Sequence, residues 1–248
     1  MTTEAHLVIT LAVCAATVRP LAGARWVWRS PRTGILLWQM VALTTVLCVG
    51  GIAFLVSPWL GAAFAAALFA VVGRQWAVTL RKRHRHRQVL SLVAREDSAV
   101  PGVLVLDHPL TVAYCVPGLR SRVVVSSGAL ATLTPDEVAA VLAHEQTHAR
   151  ERHDLVLLPF VALCRFAADA VALLVEMRAD QSAAPRSLAT VLHRFTAVTP
   201  PGALGMADAA VVARLQRLHQ EPLPNVVCWL VVLAGLTLVS TPLSFLVW

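Results

Sequence analysis

The dominant pattern along the chain is a set of long apolar runs with neither strict alternation nor a one-sided helical stripe. Runs near residues 5–24, 35–56, 59–80 and 226–247 each approach the length of about 20 helical residues that crosses roughly 30 Å of hydrocarbon. They predict four transmembrane helices. The first is interrupted by Arg19 and Pro20, and it reads as a span rather than a signal peptide, because its positive charge follows the apolar core instead of preceding it. Trp38, Trp59, Trp76, Trp229 and Trp248 fall near the predicted ends, where an amphipathic ring sits well at the membrane interface.

Between the third and fourth runs the pattern changes. VLVLD at 103–107, TVAYC at 111–115 and RVVVS at 122–126 read as short strands separated by the His108-Pro109 and Pro117-Gly118 turn signals, and they predict a three-stranded meander. TLTPDEVAAVLAHEQTHARER then reads as a helix, with Thr134 as N-cap, Pro135 at the first helical position and Glu137 placed to close a capping box. Val138, Val141 and Leu142 give that helix an apolar face. The segment 155–175 is apolar again, but Pro159, Arg165 and Asp169 argue against a full span. It is expected to form a buried hairpin or a membrane-surface helix. The resulting organisation is a membrane region over 1–80 with three spans, a separate domain over 81–225, and a fourth span over 226–248.

Composition supports the membrane assignment. The chain is 57% hydrophobic and 14% charged, with a mean hydropathy of +0.68, well outside the range of a soluble domain of this size. Its net charge of +7 does not indicate nucleic acid, since the basic residues lie beside apolar runs and in no DNA-reading motif. They orient the spans instead. The loop 19–34 holds Arg19, Arg25, Arg29 and Arg32, the turn at Ser57-Pro58 is uncharged, and RKRHRHR at 81–87 is strongly basic. Retention of Lys and Arg in the cytoplasm then places the amino terminus outside, residues 81–225 inside, and the carboxyl terminus outside, in the inner (plasma) membrane. The run 81–87 also reads as a patch for anionic lipid or nucleic acid; topology marking is the better reading. Cys14, Cys48, Cys164 and Cys228 sit in apolar segments without a CxxC pair, and read as buried small hydrophobes rather than a disulfide framework.

The candidate chemistry lies in HEQTH at 144–148. His144 and His148 are one helical turn apart on one face, within reach of one ion, and Glu145 is one step round, beside the ion but not aimed at it. That arrangement suits zinc held by the histidines, with Glu145 deprotonating water. A hydrolytic zinc needs a third protein ligand and an open position. Glu151 continues the same stripe, but its backbone lies roughly 10 Å along the axis from that of His144, and His153 points to another face. EMRAD at 176–180 supplies a second helix on which Glu176 can ligate while Asp180 accepts a hydrogen bond from a ligating histidine.

HEQTH followed by EMRAD resembles the HExxH plus ExxxD pattern of integral-membrane gluzincins, the BlaR/MecR antirepressor peptidases and their HtpX relatives. AYCVPG at 113–118 and VVVSSGALATLTPDEVAAVLAHE at 123–145 are similar to the strand, turn and helix that precede that motif, so the resemblance spans residues 103–182. It implies an α-helical integral membrane protein with a cytoplasmic α+β zincin-like metallopeptidase domain. One zinc ion per chain would be bound by His144, His148 and Glu176, with Glu145 as catalytic base and Asp180 behind the ligands. The order of spans favours the BlaR/MecR branch, whose partners are the bilayer and a winged-helix repressor of the BlaI/MecI type. The chain has no SxxK acylation motif, so direct β-lactam sensing is not expected. Tyr114, His193 and His219 are candidates for oxyanion stabilisation, and strand 122–126 is a candidate edge for aligning an extended substrate. The competing readings are an HtpX-like quality-control protease, a scaffold with a structural zinc, and a transporter built on Arg165 and Asp169.

Overall fold

In the computed structural model, residues 3–96, 103–118, 121–197 and 205–246 are described. Four helices among them are long and apolar enough to cross a membrane: α1 (Thr3–Gly23), α2 (Pro31–Val56), α3 (Pro58–Val93) and a carboxyl-terminal helix, Asn225–Leu246. A short 3-10 helix, Arg25–Arg29, joins α1 to α2. Pro20 does not end α1, which runs on to Gly23. The third helix continues far past its apolar part, so RKRHRHR is helical surface rather than a loop. Trp59, Trp76 and Trp229 are exposed, whereas Trp38 is buried with its ring edge-on to Phe160. Trp248 lies outside the described residues.

Two compact units emerge. One comprises residues 1–74, 159–175 and 221–248, and the other residues 75–158 and 176–220. In the first, α1, α2 and the carboxyl-terminal helix pack together. The apolar segment after the HEQTH helix also contributes, as α6 (His153–Leu163) and α7 (Arg165–Asp180). The Cys164 N–H donates to the Phe160 carbonyl and the Ala168 N–H to the Cys164 carbonyl, so helical bonding passes through the junction and the segment is an interrupted helix rather than a hairpin. The side chain of Arg165 lies outside the described set. Cys14 and Cys48 are buried, but Cys164 is exposed and Cys228 half-buried, so the expectation that all four are buried fails at those two.

The second unit is built on a four-stranded mixed sheet, β1 (Ala94–Glu96), β2 (Val103–Leu106), β3 (Ala113–Val116) and β4 (Arg122–Ser126), in the order β1-β2-β4-β3. The expected meander is therefore incorrect. β4 lies between β2, to which it runs parallel, and β3, to which it runs antiparallel. Its three consecutive valines explain the position, since a strand covered on both faces needs apolar side chains at every step. Val123 and Val125 face Ala129, Leu133, Val141 and Val191, whereas Val124 faces Leu90 and Val116. Strand 122–126 is thus internal and cannot serve as a substrate-aligning edge; among the described strands the edges are β1 and β3.

Helices α4 (Ser127–Thr132), α5 (Pro135–Arg150), α8 (Pro185–Ala197) and α9 (Gly205–Leu218) complete this unit, and α10 is the carboxyl-terminal apolar helix. The start of α5 agrees with the sequence reading. The Thr134 N–H donates to Glu137 Oε2 at 2.8 Å, and the Glu137 N–H donates to Thr134 Oγ1 at 3.4 Å. A reciprocal cap satisfies two otherwise orphaned backbone donors. Ala140, Leu188 and Leu192 pack with Val211, Leu215 and Leu218, which seats α9 against α8 and α5.

Candidate metal centre

Capping fixes where α5 begins, and its 3.6-residue period then fixes which side chains turn inward. Glu137, Ala140, Val141, His144 and Thr147 are its buried residues. At the far end the Thr147 and Ser182 hydroxyls lie 2.7 Å apart, joining α5 to the turn that follows α7. Across this contact α7 presents Glu176 to the two histidines.

The three donors converge. His144 Nε2 is 3.1 Å from His148 Nε2, and Glu176 places Oε2 at 3.3 Å from His144 Nε2 and Oε1 at 3.5 Å from His148 Nε2. Ligands at 2.0–2.1 Å from a tetrahedral ion are separated by roughly 3.3 Å; the two imidazole nitrogens stand near that spacing, and the Glu176 carboxylate meets each of them through a different oxygen. His144, His148 and Glu176 form the group of potential metal ligands among the described residues. Exposure rises across the group, from 8% for the His144 side chain and 18% for His148 to 39% for Glu176. The site therefore opens on the Glu176 side, where a further ligand can enter.

Each histidine is also held from behind. His144 Nδ1 lies 3.0 Å from Asp180 Oδ1, as the spacing of EMRAD predicts for the carboxylate one turn after Glu176. Asp180 is in turn gripped by Arg214 of α9, whose Nε and Nη2 donate to its two oxygens at 2.8 and 2.6 Å. Arg214 Nη1 also reaches Glu176 Oε2 at 3.2 Å. The sequence reading did not single out Arg214. Its signal is an arginine within the stripe Val211, Arg214, Leu215, Leu218, whose apolar members pack inward.

His148 is buttressed differently. α5 ends at Arg150, and Arg152 takes a left-handed conformation with φ of 53°. It is anchored there by its guanidinium donating to the Gly118 carbonyl. The reversal brings buried His153 back, with Nδ1 at 3.0 Å from His148 Nδ1. His153 therefore does not point away, as an uninterrupted helix would require. Glu151 stands apart from the three donors. It accepts from Arg178 Nη2 and Nε at 2.6 and 3.0 Å and lies 3.4 Å from His153 Nε2.

The electrostatics follow from this arrangement. Burial opposes charge on His144, but the carboxylates of Asp180 and Glu176 outweigh it and raise the imidazole to about 9. His148 is lowered to about 4 by burial, with His144, His153 and Arg214 adding to the effect. Burial raises Glu145 to about 7, reinforced by the Glu176 charge, while its carboxylate accepts a hydrogen bond from the backbone of Cys115 on β3. Two imidazole nitrogens and a carboxylate turned toward one small volume make a donor set suited to a cation. Tyr114 contacts the His86 ring and packs on the Val124 face of the sheet. His219 is exposed and paired with the Leu215 carbonyl, and His193 is exposed. A cation that does reach the donor group is Arg214, through Glu176 Oε2.

No solved structure matches the chain. Residues 79–210 match the model of peptidase family M48, a stretch that covers more than half of the chain and contains His144, Glu145, His148, Glu176 and Asp180. The chain therefore belongs to peptidase family M48 and is a metallopeptidase.

Proposed function

We propose that the protein is a membrane-embedded zinc endopeptidase of the gluzincin type. In this reading its site faces the cytoplasm, and it performs regulatory cleavage of a cytoplasmic or membrane protein. The observation that carries this reading is the convergence of His144 Nε2, His148 Nε2 and the Glu176 carboxylate, with Glu145 beside them, in a chain with four helices capable of spanning a membrane. His144, His148 and Glu176 would hold the ion and leave one side open. When bound, zinc polarises a carbonyl oxygen and makes a water molecule more acidic.

The remaining steps belong to the protein. Glu145, raised by burial toward neutrality, takes the proton of the attacking water and delivers it to the departing amine. Asp180 and Arg214 keep the His144 ring directed inward, and His153 does the same for His148. The edge strand β3 replaces β4 as the element that aligns an extended substrate, because its Cys115 amide already meets the Glu145 carboxylate.

The substrate that best suits a cytoplasmic site between a third and a fourth span is a winged-helix repressor of the BlaI/MecI type, whose cleavage would release transcription. Trapping tests this. Glu145→Gln should retain substrate without turning it over, and in native membranes it should capture a DNA-binding protein that the active enzyme cuts at one or two sites. Capture of many unfolded membrane proteins, with no repressor among them, would instead assign the chain to quality control.

A further inference from the structure

We propose that the membrane unit contains a binding site for one anionic phospholipid, with an acyl chain in a groove between α1, α2 and α10 and the phosphate at Arg19 and Arg25. The groove encloses about 500 Å³, and its walls include Val13, Ala16, Pro20, Trp26, Val41 and Leu238. That volume falls within the roughly 300–1,000 Å³ of small-ligand sites. It does not suit a helix, since three turns roughly 16 Å long and 10 Å thick displace roughly 1,200 Å³. An apolar slot of this size within a bundle of spans fits a hydrocarbon chain.

The identity of the headgroup follows from charge. Arg19 directly precedes Pro20 in the groove wall, and Arg25 lies between the wall residues Ala24 and Trp26; both arginines are exposed. Arg25 stacks its guanidinium over the Trp28 ring at 5.9 Å, which orients it without neutralising it. No Asp or Glu occurs from residue 5 to residue 95 or within α10, and Glu221, which precedes α10, meets this region through its backbone carbonyl, which accepts from Arg29 Nε at 2.9 Å. Guanidinium groups bind phosphate through paired hydrogen bonds. The mouth therefore selects a lipid with net negative charge over a zwitterionic one of the same chain length.

Trp26 lines the groove and is 40% exposed, so it reports occupancy. Purified full-length protein in detergent is titrated with phosphatidylglycerol or phosphatidylcholine carrying identical brominated chains, which quench tryptophan on contact. Subtracting the same titration of Trp26→Phe removes the contribution of Trp59, Trp76 and Trp229, which any surrounding lipid would quench. The Trp26 component should be quenched at phosphatidylglycerol concentrations at least about tenfold lower than for phosphatidylcholine, and this difference should vanish in the Arg19→Gln/Arg25→Gln variant. Ala16→Phe, which fills the groove, should remove quenching by both lipids, and glycerol phosphate without chains should not compete. Equal quenching by the two lipids in the unmodified protein, or quenching that persists in Ala16→Phe, overturns the site.

Discussion

Asp180 Oδ1 approaches His144 Nδ1 to 3.0 Å while both Asp180 oxygens are engaged by Arg214, so the orientation of one potential ligand depends on a residue on another helix. Asp180→Asn should reduce metal affinity or activity by roughly 10- to 100-fold, the usual effect of losing a carboxylate behind a ligating histidine. Arg214→Leu should lower stability as well, by up to about 3–5 kcal/mol, because it removes the guanidinium that engages both oxygens of a buried carboxylate and leaves it His144 alone. Metal titration followed by denaturant unfolding distinguishes the two outcomes.

His144→Ala, His148→Ala and Glu176→Ala are each expected to abolish stoichiometric zinc, measured by elemental analysis of purified protein. Glu145→Gln should retain the metal and lose peptide hydrolysis, because it acts on water rather than on the ion. Full zinc content in Glu176→Ala would exclude it as a ligand.

Metal loading should release protons. His144 is raised to about 9, so at pH 7.5 it is charged before loading and must become neutral to bind an ion. Calorimetry in buffers of different ionisation enthalpy should show this release, smaller in Asp180→Asn and declining as the pH rises through about 9. The sign for stability is the same. In chelator-treated protein the contribution of charged His144 is fully present below pH ~6.5 and lost as pH rises through about 9.

Thr134→Ala removes the acceptor of the Glu137 N–H and should cost about 1 kcal/mol of stability. Thr134→Ser should retain most of it. Thermal unfolding of the two variants beside the unmodified protein is the comparison required.

Topology is open to direct measurement. Reporters fused after residues 90 and 150 should be active in the cytoplasm, and one fused after Trp248 should be active outside, because two basic segments flank the first and third spans. A cytoplasmic carboxyl terminus would overturn the proposed orientation.

The features read correctly from sequence are those encoded locally. Thr134, Pro135 and Glu137 define a helix start by chemistry confined to one turn, and His144 and His148 share a face by helical period alone. The apolar runs needed only composition and length. What escaped depends on partners distant in the chain. The meander seemed natural because short turns favour neighbouring antiparallel strands, yet the unbroken valines of β4 already indicated a central strand with both faces covered. His153 was misplaced because nothing in its immediate sequence announces the left-handed turn at Arg152. Arg214 resembled one more solvated arginine, since the carboxylate that accounts for its burial is 34 positions earlier.

That last distance bears on how the enzyme can be divided for study. A fragment truncated before α9 would retain HEQTH and EMRAD intact and would pass any inspection for motifs. It would nevertheless leave the buried Asp180 without its arginine partner and expose the apolar faces of α5 and α8 that α9 covers. A fragment meant to keep the candidate metal site as the whole chain builds it therefore has to extend past Arg214, well beyond the last residue that its signature sequences name.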